Sequence, residues 1–337
     1  MSAPLRVGLV GYGVAGRVFH APLIAADPDL ELTAVVTSQT SRLAEDHPDA
    51  VTVPHLEALL AHPGLDVVIV ASPTPLHAEH ATAAIDAGLA TVVDKPFAAD
   101  TASGFALIER ARAAGVPFTV FQNRRWDGDF RTLRRVVVDG TLGEVRRFES
   151  RFEWWKPSPD DSWKSTTAAP DGGGILLDLG SHVIDQALQL FGPARVAHAE
   201  VHARRGAGND DDAFVVLDHD SGTLSHLWMS AVAPLTGPRF RVLGASTGFV
   251  SWGLDPQEAQ LEAGMRPDDP GYGEATAPAR IGTDAHGDVL PLLPGDYPGF
   301  YRGLVAALRG DAPLPVDPRE SLAVLELIDT IHLQNRK

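Results

Sequence analysis

The 337-residue sequence contains no cysteine. Disulfide bonds, thiolate metal ligands and a cysteine nucleophile are therefore excluded, and the fold must be stabilised by packing alone. Basic residues are also scarce, because 28 lysines and arginines stand against 44 aspartates and glutamates, for a formal net charge of −16. A chain this acidic could build a basic face only locally, so we expect neither nucleic acid nor an anionic membrane as a partner.

Long hydrophobic runs are missing as well, since none reaches the roughly 18 residues of a membrane span. Met1–Pro4 lead directly into a strand-like pattern, without the features of a secretion signal. We therefore expect a cytoplasmic protein. Hydrophobic residues make up 44% of the chain and charged residues 21%, which is typical of globular proteins, and the length predicts two domains.

The first part of the chain alternates short apolar runs with longer amphipathic stretches, as β-α-β units around a parallel sheet do. The apolar runs lack polar alternation, which is typical of strands buried on both faces. These strands are Leu5–Val10, Leu32–Val36, Val67–Val70, Ala90–Val93 and Phe118–Phe121. Helices are predicted over Thr74–Ala87 and Thr101–Ala114, each ending at a glycine. Residues 1–122 are therefore predicted to form a doubly wound α/β Rossmann domain.

After residue 122 a single helix, Phe130–Asp139, precedes alternating and aromatic runs that favour an antiparallel sheet. The predicted strands are Glu144–Trp155, Ala194–Ala203, Ala213–Asp218, Thr223–Ser230, Arg239–Gly244 and Gly248–Trp252. No long parallel crossover is expected among them. Residues 255–297 predict a loop with room for one more strand, and closing helices are predicted over Tyr297–Leu308 and Arg319–His332. Residues 123–337 are therefore predicted to form an α+β domain.

A glycine-rich loop follows the first predicted strand and opens a helix. Its residues are Gly11, Tyr12, Gly13, Val14, Ala15 and Gly16. In this GxGxxG motif Gly11 allows a tight turn, Gly13 lets the backbone approach a pyrophosphate, and Gly16 lets the helix pack close to the strand. The helix N-terminus would then face the phosphates. A glycine-rich turn without a ligand is the alternative, but the position after the first strand favours a dinucleotide site.

The residues that follow the second strand indicate whether the site prefers NAD or NADP. NAD-binding versions of the fold carry a carboxylate there for the ribose hydroxyls, whereas this chain continues with hydroxyl residues and an arginine, from Thr37 to Arg42. Thr37, Ser38 and Arg42 would suit a 2′-phosphate, so the sequence predicts NADP, with NAD as the second choice. Under the alternative, Ser41 merely caps the next helix and Arg42 is solvated.

Two further loops lie at the carboxyl edge of the predicted sheet, where ligands bind. Ser72, Pro73 and Thr74 follow the fourth strand and are predicted to contact the cofactor. His77 on the next helix is also predicted to contact the cofactor, although for His77 and His80 a position on the helix surface is equally consistent with the pattern. Lys95 follows the fifth strand, where its cation could stabilise the alkoxide of a carbinol losing its proton. Alone, it would be taken as a solvated loop lysine.

Lys95 is accompanied by a second polar group farther along the chain. The glycines 172–174 lead to Asp178 and His182, which would share one helix face with Asp185. A histidine held by a carboxylate suits general acid–base catalysis near neutral pH. The same pair could ligate a metal, but no third ligand stands at a convincing spacing, so we predict none. A capping aspartate with a surface histidine is the alternative.

Four more features are not predicted to belong to the site. Trp154, Trp155 and Trp163 could border a substrate, but tryptophans lie more often in cores. The Asn209–Asp212 cluster could do so too, but acidic clusters lie more often in solvated loops.

Together these landmarks resemble the glucose-fructose oxidoreductase, inositol dehydrogenase and rhizopine catabolism (Gfo/Idh/MocA) family over nearly the full length. The resemblance rests on the glycine loop, Ser72–Thr74 with His77, Lys95-Pro96, and Asp178 with His182. Wider matches at residues 8–23 and at Phe121–Asp127, which includes Gln122, resemble the branch containing NADP-dependent scyllo-inositol dehydrogenases. One departure is Asp94, where the family usually has glutamate.

The resemblance implies a Rossmann domain, an α+β domain with a large open antiparallel sheet that forms dimers or tetramers, and catalysis by Lys95, Asp178 and His182. It adds Gln122 to the cofactor-binding residues. His182 would exchange the hydroxyl proton, Lys95 would stabilise the oxyanion and Asp178 would orient the imidazole, while hydride moves between nicotinamide and a carbinol carbon of a small polyhydroxylated substrate. The alternatives are an aldose or deoxysugar dehydrogenase, a non-catalytic dinucleotide sensor and, less favoured, a metal-dependent hydrolase.

Overall fold

The computed structural model describes residues 3–158, 166–206 and 208–335, and the chain divides into two compact units. The first comprises Met1–Asn123, Gln257–Tyr272 and Asp296–Leu322, and the second Arg124–Pro256, Gly273–Gly295 and Ala323–Lys337. Each unit is therefore assembled from three separate pieces of sequence. The functional boundary near residue 122 stays a prediction.

The first unit is built on a six-stranded parallel sheet. Its strands are β1 (Leu5–Val10), β2 (Leu30–Val36), β3 (Val51–Val53), β4 (Val67–Val70), β5 (Ala90–Asp94) and β6 (Phe118–Phe121). They are ordered β3-β2-β1-β4-β5-β6, with every pair parallel. This order confirms the predicted Rossmann fold. Strands β1 to β3 are added towards one edge of the sheet and β4 to β6 towards the other, so the strand order switches between β1 and β4, where such sheets bind ligands. The sequence prediction omitted β3, because three residues are too few to show a pattern.

Eleven α-helices lie in the described residues. They are α1 (Ala21–Ala25), α2 (Thr40–Asp46), α3 (Leu56–Leu60), α4 (His77–Asp86), α5 (Thr101–Ala114), α6 (Gly128–Val138), α7 (Ile175–Asp178), α8 (Gly180–Phe191), α9 (Gln257–Glu262), α10 (Pro298–Leu308) and α11 (Pro318–Gln334). A π-helical segment, Ala15–His20, runs directly into α1. Helix α5 has the predicted bounds, because Asp100 caps its first turn and Gly115 ends it in a left-handed conformation. In the described residues no helix is both long and apolar enough to cross a membrane.

The second unit contains a separate eight-stranded sheet. Its strands are β7 (Val145–Glu153), β8 (Ala194–His202), β9 (Asp212–His219), β10 (Leu224–Ser230), β11 (Phe240–Gly244), β12 (Gly248–Ser251), β13 (Ala279–Gly282) and β14 (Gly287–Leu290). The order is β14-β13-β12-β11-β7-β10-β9-β8. The sheet is mostly antiparallel, as predicted, but β7 and β10 pair in parallel. The expectation of no long parallel crossover was therefore wrong.

Residues 255–297 hold more regular structure than predicted, because they form α9 and both strands of the β13–β14 hairpin rather than one further strand. The residues of β14 are mostly exposed, so this hairpin carries little of the hydrophobic signal that identifies strands in a sequence.

One face of the second sheet is apolar and buried, and the other is partly exposed. Val215 and Leu217 are fully buried, while their neighbour Phe214 is half-buried and lies 4.8 Å from the ring of Trp228 on the adjacent strand. The guanidinium of Arg151 stacks 3.9 Å above the Trp228 ring. This face therefore presents aromatic surface that the helices of the unit do not bury.

The late segments of the first unit complete its core. Phe300 of α10 contacts Phe121 of β6 edge to face, with ring centroids 4.9 Å apart. The Thr119 hydroxyl donates a hydrogen bond of 2.7 Å to the carbonyl of Val316. The end of β6 is thus covered by residues almost 200 positions later in the chain.

Candidate active site

The glycine loop forms the turn between β1 and the first helical segment. Gly11 has φ of +100°, and a Cβ there would lie 2.6 Å from the Ala71 carbonyl oxygen. A Cβ on Gly16 would overlap the carbonyl oxygen of Gly11. Beside Gly13, in contrast, no atom of the described residues beyond its two sequence neighbours lies within 4 Å of the Cβ position. Two of these glycines therefore serve close packing, and the third opens the backbone to a ligand.

Tyr12 connects this loop to the end of α2. Its side chain is 2% exposed, and its hydroxyl donates a hydrogen bond of 2.9 Å to Asp46. Burial raises the pKa of the Tyr12 phenol, and the bond to Asp46 adds to the rise, while the cations of Arg17 and Arg42 oppose it. The two arginines therefore lie near the glycine loop. Sequence reasoning identified only Arg42.

The β2–α2 loop contains exposed side chains that a cofactor could reach. Ser38 and Arg42 are exposed and Thr37 is half-buried. Helix α2 is preceded by Gln39 at its N-cap, so the alternative in which Ser41 caps this helix is wrong. Gln39 instead donates a hydrogen bond of 2.8 Å from Nε2 to the Tyr12 carbonyl. This contact was missed because a glutamine in a polar loop gives no sequence signal.

The Ser72–Thr74 loop follows β4. Ser72 is half-buried and Pro73 exposed, whereas Thr74 is 3% exposed. His77 lies beneath this loop at 1% exposure, with Nδ1 2.8 Å from the Pro96 carbonyl and Nε2 2.7 Å from the Ser72 carbonyl. A surface position for the His77 ring therefore conflicts with the structure, while its predicted cofactor contact stays a prediction. The ring ties two backbone loops together instead.

Two other polar residues near the same strand ends have local partners. His80 is half-buried and lies with Nδ1 2.9 Å from the Ser72 hydroxyl. Gln122 is 3% exposed, and its Nε2 donates a long hydrogen bond of 3.4 Å to the hydroxyl of Ser321. Gln122 thus lies inside the first unit, and its predicted cofactor contact stays a prediction.

Lys95 is half-buried directly after β5. The preceding Asp94 faces His20, whose Nε2 lies 3.8 Å from an Asp94 oxygen. Burial alone would raise the pKa of the Asp94 carboxyl, but the neighbouring His20, Lys95 and His77 outweigh it and hold the pKa below its ordinary value. Asp94 is therefore a carboxylate at neutral pH, next to the predicted catalytic lysine.

In the second unit, Asp178 and His182 lie on either side of a helix break. Asp178 is the last residue of α7, and His182 belongs to α8, which begins at Gly180 after an interruption at Leu179. The expectation that one continuous helix carries both residues was therefore wrong. His182 is 4% exposed and stacks on Phe152, with ring centroids 6.1 Å apart and an angle of 21°. It is not a surface histidine.

Helix α8 is fixed by buried polar contacts. Asp185 accepts two hydrogen bonds from Arg125, at 2.8 and 2.5 Å, and both side chains are less than 10% exposed. Gln186 donates to the Arg124 carbonyl and accepts from Arg239. These contacts orient the helix on which His182 stands. Asp185 thus helps to position the helix, and it does not share an open catalytic face with Asp178 and His182 as the helical pattern suggested.

Aspartates of the 209–212 cluster support the segment that carries Asp178. Asp210 is 8% exposed, and it accepts a hydrogen bond of 2.7 Å from the Leu176 amide at the start of α7. A Cβ on Gly174, which has φ of +94°, would overlap the Asp210 carboxylate. Asp211 is fully buried and accepts from the amides of Arg204 and Arg205. Describing this cluster as a solvated loop was therefore wrong.

Trp155 is 55% exposed and Trp154 half-buried, so neither is a core residue, and Trp163 lies outside the described residues. Within those residues, no group of three or more histidine, aspartate or glutamate side chains could hold a metal ion.

Both units match known protein families. Residues 5–122 match the oxidoreductase family with an NAD-binding Rossmann fold, and residues 130–250 match the GFO/IDH/MocA C-terminal domain. Among curated proteins, the chain is 34% identical to the scyllo-inositol 2-dehydrogenase (NADP(+)) of Bacillus subtilis, over 96% of this chain and 92% of that protein. It is 29% identical to the D-glucoside 3-dehydrogenase of Escherichia coli, over 98% and 95%.

Solved structures agree with these sequence matches. The yvaA protein of Bacillus subtilis has a TM-score of 0.93 and 32% identity, covering 99% of this chain and 96% of that one. Since matches of this extent include both units and two family domains, the chain belongs to the Gfo/Idh/MocA family of NAD(P)-dependent oxidoreductases.

Proposed function

We propose that this protein is an NADP-dependent dehydrogenase that acts on a carbinol carbon of an inositol-like polyol or sugar. The observation that carries the proposal is that the sequence contains Lys95, Asp178 and His182, and that the His182 ring is buried and stacked on a helix fixed by the Arg125–Asp185 ion pair. A protein that only senses dinucleotide would have no need of this set.

The residues of the first unit fit a bound dinucleotide. The open space beside Gly13 at the entrance to the first helix would admit a pyrophosphate. The exposed Ser38 and Arg42 would hold a 2′-phosphate, and Arg17 would add a second cation nearby. No carboxylate stands at the end of β2 to repel that phosphate. The similarity to an NADP-dependent inositol dehydrogenase supports the same choice.

The three proposed catalytic residues have distinct tasks. In the oxidative direction His182 accepts the proton of the substrate hydroxyl, and in the reductive direction it returns that proton. Asp178 orients the imidazole, and the Lys95 ammonium stabilises the oxygen as negative charge develops on it. When bound, the nicotinamide ring supplies the acceptor or donor of the hydride.

A specific similarity favours a second substrate class. The D-glucoside 3-dehydrogenase of Escherichia coli aligns over nearly the whole chain, so a sugar or sugar derivative is the alternative to an inositol. Both substrate classes present a ring hydroxyl on a secondary carbon, and the same three side chains would serve either.

The test is a spectrophotometric screen that follows reduced cofactor at a fixed NADP concentration, with inositols, aldoses, glycosides and sugar acids as candidate substrates. The proposal expects turnover of at least one inositol with NADP, and a kcat/KM at least tenfold higher with NADP than with NAD. A preference for NAD above tenfold would contradict the cofactor assignment. Dinucleotide binding without turnover of any member of the panel would favour the sensor.

A further inference from the structure

In the first unit, three polar side chains form a line that leads to the residue before Lys95. The line consists of Tyr301, His20 and Asp94. The hydroxyl of Tyr301, on α10, lies 2.6 Å from His20 Nδ1. The other ring nitrogen of His20, Nε2, lies 3.8 Å from the Asp94 carboxylate. His20 and Tyr301 are both fully buried, and Asp94 immediately precedes Lys95. The line therefore ends one residue from the proposed catalytic cation.

The chemistry of the line determines its proton positions. Burial raises the pKa of the Tyr301 phenol well above its ordinary value, and the Asp94 charge raises it further, so this hydroxyl remains protonated. Because the Asp94 carboxylate faces His20 Nε2, a proton on that nitrogen is favoured, and the Tyr301 hydroxyl then donates to Nδ1.

His20 Nε2 makes no hydrogen bond within the described residues, and the carboxylate 3.8 Å away is the charge it faces. An N–H dipole at that distance stabilises a buried anion without neutralising it. The other groups that act on Asp94 are His77 from α4 and Lys95 itself. Asp94 is thus held as an anion by the electrostatic influence of His20, His77 and Lys95.

A fixed carboxylate beside a lysine favours its ammonium form, because unlike charges at short range oppose loss of the proton. We propose that His20 and Tyr301 are positioning residues that keep the Asp94 carboxylate ionised and in place, so that Lys95 retains its proton over the working pH range. This inference rests on the role given to Lys95 in the proposed function. It assigns a purpose to two buried polar residues that the reaction itself does not use.

The experiment reads the charge of Lys95 in the cofactor-free full-length protein. Amines are trace-labelled with acetic anhydride from pH 6 to 11, and the label on each lysine peptide is measured by mass spectrometry. The sequence has four lysines, Lys95, Lys156, Lys164 and Lys337, so exposed Lys156 serves as an internal standard. The variants are Asp94→Asn, Asp94→Glu, His20→Phe, His20→Gln and Tyr301→Phe.

The proposal expects Asp94→Asn to lower the labelling midpoint of Lys95 by about one pH unit, with about half that shift for His20→Phe. Asp94→Glu and His20→Gln retain the charge or the N–H donor, so their midpoints should stay within about 0.2 unit of wild type. Tyr301→Phe removes one hydroxyl, keeps the aromatic packing and should shift the midpoint in the same direction as His20→Phe.

An Asp94→Asn midpoint equal to that of wild type overturns the proposal. So does a shift in Asp94→Asn with none in either His20→Phe or Tyr301→Phe. If His20→Phe does not fold, as judged by circular dichroism, Tyr301→Phe alone tests whether the buried line affects the labelling midpoint of Lys95. The labelling needs no turnover, so it separates this inference from the proposed function, which fails instead if Lys95→Ala remains fully active.

Discussion

The Asp210 carboxylate accepts a hydrogen bond of 2.7 Å from the amide of Leu176, two residues before Asp178. An aspartate 34 positions away thus caps the short helix α7 that ends in a proposed catalytic residue. Such caps satisfy amides that would otherwise be buried without a partner. The position of Asp178 therefore depends on a residue outside its own segment.

Replacing Asp210 should consequently affect both stability and turnover. We expect Asp210→Ala to lower the free energy of unfolding by about 1–3 kcal/mol, because the Leu176 amide loses its acceptor. Asp210→Asn retains an oxygen acceptor and should lose less. Urea denaturation and kcat measure the two effects. Equal stability of wild type and Asp210→Ala would show that the cap is not important.

Lys95→Ala should lower kcat by about 100-fold or more, because a preorganised cation that stabilises the oxyanion is lost. Lys156→Ala, at an exposed position, is the matched control and should retain activity. The measurement is the initial rate at saturating substrate and NADP. Turnover of Lys95→Ala within threefold of wild type would remove Lys95 from the mechanism.

Arg42→Ala should lower kcat/KM for NADP about tenfold and leave the value for NAD nearly unchanged, since only NADP carries the phosphate that an arginine would pair with. Arg134→Ala removes an exposed arginine from α6 and serves as the control. Steady-state kinetics with both cofactors provide the comparison. A parallel loss with both would indicate a general structural effect rather than phosphate recognition.

The buried Asp129 carboxyl should make the free energy of unfolding depend on pH. Its side chain is 4% exposed, and burial raises the pKa of its carboxyl from 3.8 to about 6, with Asp255 adding to the rise and Arg239 opposing it. The folded protein therefore holds this proton more tightly than the unfolded chain does. The corresponding stabilisation is complete below pH 3.8 and is lost as pH rises through about 6.

Asp129→Asn removes this titration and keeps an oxygen that can accept from the Phe130 amide. Relative to wild type, its free energy of unfolding should therefore rise by on the order of 2 kcal/mol between pH 4 and pH 8. Urea denaturation across this range tests the prediction, with exposed Asp311→Asn as the control for loss of one charge. A difference that does not change with pH would contradict it.

The partly exposed face of the second sheet predicts self-association. Trp228 lies there against Phe214 and Arg151, and aromatic and arginine side chains of this kind are enriched in interfaces. We expect a homodimer or homotetramer that Trp228→Glu dissociates, as measured by light scattering after size exclusion. Leu235→Glu is the control, because Leu235 is 91% exposed outside the sheet. A wild-type protein that is monomeric at micromolar concentration would exclude this interface.

The sequence predicted best those elements whose signal is local. β4 has the predicted bounds because its four apolar residues follow Asp66 as a short run that marks a buried strand, and β6 has them although its run includes Thr119. The glycine loop was identified for the same reason, since its spacing and its place after a strand are both visible in a few residues. In these regions local propensity and tertiary structure agree.

Features set by distant partners could not be predicted in this way. The parallel pairing of β7 with β10 joins segments about 75 residues apart, and hydrophobic alternation carries no information about strand direction. The break at Leu179 was hidden by an i, i+4 spacing that is equally good for one helix. The Asp210 cap was hidden because a buried aspartate and a solvated one look alike in sequence.

The return of α10 to the first unit has a practical consequence for dividing the protein. Tyr301 and Phe300 stand against His20 and Phe121, so a fragment that stops at Asn123 would leave an aromatic and histidine surface open to water. Grafting this nucleotide-binding half onto a relative would require transferring three stretches of sequence together. A single crossover near residue 122 would instead give a chimera in which the Rossmann sheet packs against the relative's residues in place of Phe300 and Tyr301.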